Sequence, residues 1–263
     1  RQRTVGTADE DVADGVGGRT HQERVVTTGA GNRVVAGEPV DVEDVVRGLA
    51  EQGIRRFLAF PLYPQYSLTT TKGALERSRS AVARLGGNAE FHEIGSWPTH
   101  PGFAAAHAEA IRKEIAAFPD PRPGAVHLLY SAHSIPKKLV TREGDPYPRE
   151  VEASIGAINA ILGNRSPWSL AYQSKLGPVE WLGPATLDAI DELGRKGTRQ
   201  VLAIPIAFVS DHVETLYEID QLFGERARSA GIEQFRRTPG LNDSPTFLAA
   251  LADIASSKRE FWE

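Results

Sequence analysis

The chain has 263 residues, no cysteine and no methionine, and its 30 Lys and Arg against 34 Asp and Glu leave a net charge of −4. Without Cys there is no disulfide, thiolate zinc site, cysteine-held iron–sulfur cluster or Cys nucleophile, and the mild acidity argues against a chain built to wrap nucleic acid. The length suits one large domain or two small ones, and 41% hydrophobic residues can bury a core without staples.

Residues 1–37 are poor in core formers: between Arg1 and Ala50 the only Leu is Leu49, with no Ile, Phe, Tyr or Trp. Such a stretch has little to bury and is expected to be loosely ordered. It holds one lookalike. Gly29-Ala-Gly-Asn-Arg-Val34 resembles the start of a dinucleotide fingerprint, but Val34 stands where a third Gly or Ala belongs and no amphipathic helix follows.

From Val40 the pattern sharpens. Val42, Val45, Val46, Leu49 and Ala50 follow a helical face that Gly53 ends. Residues 57–60 form a short buried strand stopped by Pro61. A helix over 70–85, a strand over 90–94 and a helix over 101–118 follow. Three prolines in 119–124 mark the best domain boundary. Beyond it the alternation repeats: strands over 125–130, 168–173 and 200–209, helices over 149–162 and 185–193, a long helix to about Ala230, and a last amphipathic helix carrying Phe247, Leu248, Leu251, Ile254 and Ala255. Strands alternating with helices imply an α/β fold with parallel sheets covered on both faces. The expected layout is a remainder of a first α/β domain at 38–122, a second α/β domain at 123–240, and a terminal segment, 241–263, packing back on the first.

Ligands in such folds bind beyond the carboxyl ends of the strands. Polar clusters fall there: residues 61–71, the Ser131-Ala-His-Ser134 turn, the 210–214 stretch, and a loop over 173–184 holding Trp181. His133 can take a proton near neutrality or bind a transition metal; the plainer reading is a loop histidine bonded to backbone. Asp211 and Glu214 match a capping box, or, with Glu218 one turn on, form an acidic line suited to a proton or cation route. No nucleophile elbow, Walker loop or paired-histidine zinc motif is present, and aromatics are not interleaved with basic residues as in single-strand nucleic-acid binders.

At these clusters the chain resembles the ferrochelatases, which insert ferrous iron into a porphyrin. The matching blocks are Phe60-Pro-Leu-Tyr-Pro-Gln-Tyr-Ser67, Trp97-Pro-Thr-His100, Ser131-Ala-His-Ser-Ile-Pro136, Gly144-Asp-Pro-Tyr-Pro148, Tyr172-Gln-Ser-Lys-Leu-Gly-Pro178 with Trp181-Leu-Gly-Pro184, the run Pro205 to Glu218, and Leu241-Asn-Asp-Ser-Pro245. They span residues 40–256. The resemblance implies two Rossmann-like domains, the first incomplete, with protoporphyrin IX between them. It implies that His133 and Glu214 face each other across the macrocycle in proton abstraction and metal delivery. Asp211, His212 and Glu218 support Glu214, Trp97 and His100 stand near the metal approach, and Tyr63, Ser67, Gln173, Ser174, Trp181 and Phe208 line the porphyrin. Ferrous iron is substrate, and no resident cofactor or iron–sulfur cluster is expected.

The chain departs from the pattern in places. Residues 1–36 resemble nothing in the family, Val35-Ala36 stands where an Arg-Tyr pair belongs, and Leu222 replaces an acid. With Arg1 in place of an initiator Met, the expectation is a truncated or mis-started chain. Alternatives are a non-catalytic tetrapyrrole-binding remnant and a chelatase acting on coproporphyrin, although the Gln-Ser-Lys-Leu-Gly-Pro block looks more like protoporphyrin-using members. The longest strongly apolar run, 201–209, is far short of the ~20 residues of a membrane helix, and no secretion signal is apparent. The expected location is the cytoplasm, with peripheral membrane contact suggested only by the greasy product.

Overall fold

A computed structural model describes residues 41–175, 177–212 and 214–258; the Gly29–Gly31 lookalike and the Glu214 side chain lie outside what is described. Asp41 caps helix α1 (Val42–Glu51), its carboxylate accepting from the Glu43 amide at 3.0 Å. Strand β1 (Arg56–Ala59) leads to α2 (Thr71–Leu85) and then β2 (Glu90–Glu93), which pairs in parallel with β1. Helices α1 and α2 cover one face of this pair: Val46, Leu49, Ala81 and Val82 pack on Phe57. Leu58 points to the other face and joins the main core, as the two-residue period of a strand requires.

Helix α3 (Pro101–Ile115) opens on a proline, which needs no amide partner in the first turn. There follow β3 (His127–His133), a short α4 (Lys137–Thr141), α5 (Tyr147–Leu162), β4 (Trp168–Gln173), α6 (Thr186–Arg195) and β5 (Gln200–Pro205). A π-helix (Glu214–Phe223) runs into α7 (Gly224–Ser229); β6 (Gln234–Arg237) and α8 (Pro245–Ser256) complete the described chain. The second sheet is all parallel in the order β4-β3-β5-β6. Leu128, Tyr130, Ala132, Leu202 and Ile204 face α3 and α5, while Leu129, Val201 and Ala203 face α6, the π-helix and α7. This is the doubly wound α/β arrangement expected from the alternation, and its strand order reverses between β3 and β5.

Several boundaries differ from the sequence expectation. The apolar run 201–209 stops being strand at Pro205. Ile206 instead donates its amide to the Ser131 carbonyl at 3.1 Å. Residues 206–209 are apolar because Ile206 and Val209 pack into the core, and an apolar run alone does not distinguish strand from buried loop. Strand β3 extends to His133, which pairs with Gln173. Strand β6 has too few apolar residues to announce itself; its two arginines sit on a sheet edge, where charge discourages further pairing. The long helix ending near Ala230 is two pieces, π then α.

One core spans both sheets. Trp97 stands edge-on to Phe60 and Phe103, with ring centroids 5.9 and 5.1 Å away, and Phe247 of α8 lies 6.2 Å from it. Helix α8 presses on α3 so closely that a Cβ on Gly102 would sit 2.7 Å from that of Ala250.

His107 of α3 is fully buried against Phe103, and neither ring nitrogen has a hydrogen-bond partner. Burial pushes its pKa down to about 3. His127 shifts the same way, to about 4, through burial and the nearby Lys196 charge. Between pH 6.5 and 3 the unfolded chain therefore takes up a proton at residue 107 that the folded chain refuses, so stability falls as pH drops. At pH 5 the loss from His107 is about 2 kcal/mol relative to pH 7.5. Urea unfolding at the two pH values is expected to show His107→Leu losing that much less stability on acidification than the parent.

Candidate active site

The loops leaving β1, β3 and β5 at their carboxyl ends enclose a cavity of about 730 Å³, within the range of small-molecule sites. Leu62, Ile135, Pro136, Trp181, Phe208 and Val209 supply apolar wall; Tyr63, Gln65, Ser67, Thr69, Thr70, His133, Ser134, Tyr147, Ser210 and His212 supply polar groups. Among the described lining residues there is no Asp, Glu, Lys or Arg; the titratable groups are two histidines and two tyrosines. The Tyr147 phenol is pushed far up by burial.

His133 closes β3 beside the point where strand order reverses. Its Nδ1 lies 2.8 Å from the Ser134 carbonyl oxygen. A carbonyl only accepts, so Nδ1 carries the proton and the lone pair of the neutral ring is on Nε2. Phe208 sits between two imidazoles, edge-on to His133 at 6.2 Å and to His212 at 4.4 Å.

Two carboxylates at the start of α5 hold the β1 loop in place. Asp145, 2% exposed, accepts from the Ser67 hydroxyl and the Leu68 amide at 2.9 Å each and from the Tyr147 amide at 3.0 Å. Glu150 accepts from the Tyr66 amide at 2.6 Å and the Ser96 hydroxyl at 3.2 Å. Gln65 donates to Ser154 Oγ at 2.9 Å, and Ser154 in turn donates to the Pro98 carbonyl at 2.8 Å. The helix N-terminus favours these negative charges.

The structure gathers Tyr63, Ser67, His133, Trp181, Phe208 and His212 around the cavity. Glu214 opens the π-helix just beyond His212 in the chain. Gln173, Ser174 and Glu218 do not line the cavity but form a chain beside it. Glu218 Oε2 accepts from Gln173 Nε2 at 3.0 Å and Ser174 Oγ at 2.8 Å, and Gln173 Oε1 accepts from Ser131 at 2.7 Å. Ser174 has φ of 62°, a left-handed conformation uncommon for a non-glycine residue.

The described partners of Asp211 belong to neither sequence pattern. Its carboxylate turns to Arg237 (2.6 Å), Asn242 Nδ2 (3.0 Å) and the Gly240 amide (3.1 Å). Burial works against its charge, yet these donors hold its pKa below the usual carboxylate range. The turn before the π-helix is closed instead by Thr215, whose hydroxyl accepts from the His212 amide at 3.0 Å. Trp97 and His100 lie at a second depression of about 760 Å³, where His100 Nε2 meets Asp253 Oδ2 at 3.0 Å. Trp97 is 5% exposed and packs chiefly as core. Among the described residues no cluster of three or more His, Asp or Glu is disposed to hold a metal.

Sequence reasoning did not single out Leu62, Gln65, Thr69, Thr70, Tyr147 or Ser210. The signal existed, since five lie in the strand-end clusters at 61–71 and 210–214 and Tyr147 lies in the Gly144–Pro148 block. What was missing was which side chains in those loops turn inward.

The fold is that of a chelatase. The backbone matches SirB from Bacillus subtilis, solved with Fe3+, at a TM-score of 0.59 and 12% identity, over 86% of this chain and 81% of that one; SirB is a sirohydrochlorin chelatase. The particular family follows from the sequence match: the ferrochelatase family model covers residues 18–259, and the chain belongs to the ferrochelatase family. That match opens inside the stretch 1–36 that our reading placed outside the family. Ferrochelatases of Synechococcus sp. strains RCC307 and JA-3-3Ab are 42% and 45% identical over 218 and 216 residues. The alignments take in 82% and 81% of this chain but 56% and 62% of those relatives, so the chain spans little more than half of their length.

Asp145→Ala takes the acceptor from the buried Ser67 hydroxyl, the buried Tyr147 amide and the half-buried Leu68 amide, at about 1–3 kcal/mol for a fully buried group. Urea denaturation is expected to show a loss of about 3 kcal/mol, with Asp145→Asn losing less because one acceptor remains.

Proposed function

We propose that this chain inserts ferrous iron into protoporphyrin IX to form protohaem, the last step of haem biosynthesis. The observation that carries the reading is His133. It is an imidazole with its tautomer set by the Ser134 carbonyl, in the wall of a large cavity whose described lining has no full-time charge. An apolar, aromatic-walled space suits a flat macrocycle, and Trp181 and Phe208 offer it ring contact.

Metal insertion removes two pyrrole protons and strips water from the iron. The lone pair of a neutral imidazole can accept a proton or ligate Fe2+. In this reading Glu214 works with His133 in proton abstraction and metal delivery, from the far side of the ring. Glu218, held by Gln173 and Ser174, and His212 support it. Asp211 acts at one remove, by anchoring the turn that carries His212. Trp97 and His100 flank a metal approach from the second depression. Iron is consumed as substrate, so no resident cofactor enters the scheme. Among the described residues no helix is long and apolar enough to cross a membrane; peripheral contact for release of an apolar product belongs to the proposal.

Anaerobic mixing of this chain with ferrous iron and protoporphyrin IX is expected to give haem absorbance. His133→Ala is expected to lower the rate at least about 100-fold, the usual scale for losing a proton-transfer group, while fluorescence titration shows porphyrin still binding. Metallation by the variant at the parental rate would sink the assignment.

A further inference from the structure

The π-helix that opens on Glu214 is ten residues long, whereas this geometry usually appears as a single turn. The backbone's default is i→i+4 winding, so contacts outside the helix must favour the wider one. Ile219 and Phe223 pack on the sheet, and Glu218 is gripped from the end of β4. On another side stands Arg237, the last residue of β6. Its Nη1 donates to Asp211 at 2.6 Å and to the Thr238 carbonyl at 2.8 Å. Its Nε and Nη2 donate to the two oxygens of Asp220 at 2.9 and 3.1 Å.

Asp211 precedes the helix and Asp220 lies within it, so one guanidinium bridges the two. The Arg237 side chain is only 10% exposed, which limits screening by solvent and salt. Rewinding the helix to α would rotate Asp220 about the axis relative to Asp211. A planar fork with fixed donor directions could not then serve both carboxylates. The anchor at Asp211 is itself rigid. Its amide donates to Asn242 Oδ1 at 2.9 Å, and Gly240 approaches so closely that a Cβ there would lie 2.6 Å from the Asp211 nitrogen.

We propose that Arg237 is a positioning residue for metal insertion: by bridging Asp211 and Asp220 it holds the π-helix in the register that sets Glu214 and Glu218 relative to His133. The proposal rests on the functional reading above and adds to it a residue that lines no part of the cavity.

The test uses the full chain with Arg237→Gln, Arg237→Lys and Asp220→Asn; Asp220 is an exposed arm, and the fold is expected to survive its loss. Amide hydrogen exchange over residues 214–223, without porphyrin, is expected to quicken in all three. The value of kcat for protoporphyrin metallation is expected to fall about 10- to 100-fold, the scale of a misplaced reacting group. KM stays within about twofold, because no lining residue is replaced and Asp211 keeps Asn242 and Gly240 as donors. Arg237→Lys should resemble Arg237→Gln rather than the parent, since an ammonium is not a fork, and Arg237→Gln with Asp220→Asn should be no worse than the poorer single variant. Arg226→Lys, in a surface pair with Asp191, serves as a control that moves neither measurement. Unchanged exchange over 214–223, or faster exchange with kcat within twofold of the parent, overturns the proposal. A parent chain that does not metallate would count against the functional reading, while the exchange measurement still decides whether Arg237 holds the helix.

Discussion

The buried carboxylate of Asp145 is the constraint on which the site depends. It sits just ahead of α5, a helix of the second sheet, and takes its hydrogen bonds from Ser67 and Leu68, which belong to the loop following the first sheet. A buried charge is tolerable only when donors surround it, and here three do. Satisfying Asp145 therefore requires the β1 loop to lie against α5. That places Tyr63, Ser67 and Thr69 opposite the loops after β3 and β5. Glu150 repeats the device a turn further along, binding the β1 loop and the segment before α3 together. These two acids, together with the Gln65–Ser154 hydrogen bond, tie the β1 loop to α5 and so set one wall of the cavity.

Against that frame the imidazoles acquire their chemistry from backbone geometry. His133 ends β3, an inner strand of a parallel sheet, and pairs with Gln173 of β4, so its position follows from the ladder rather than from a loop. The adjacent carbonyl dictates which nitrogen bears the proton. His212 stands on a turn anchored from behind by Asp211, Asn242 and Arg237. Asp211 and Arg237 thus pair behind this turn and steady that part of the wall, while the described lining itself carries no fixed charge and suits a large apolar ring.

Much of this was legible beforehand. The α/β class followed from helical faces such as Val42, Val46 and Leu49 alternating with short apolar strands. Strand-end clusters pointed to the loops that do form the cavity, and the motif blocks named the family. For Asp211, chain proximity to Glu214 suggests a capping box or an acidic line, and neither pattern points to the partner its carboxylate takes. Its actual partner, Arg237, is 26 residues away on a strand too polar to be recognised. Residues 206–209 were read as strand because burial in a loop and burial in a sheet leave the same apolar mark.

The amino-acid sequence by itself determined the order of elements, the family and the identity of most candidate groups, since periodicity and motif spacing are local properties of the chain. Only the tertiary structure decided which groups share a cavity, which proton His133 carries and why ten residues wind as a π-helix. Those outcomes depend on hydrogen bonds between residues distant in sequence, such as Gln65 with Ser154 and Arg237 with Asp211, and no local pattern encodes them.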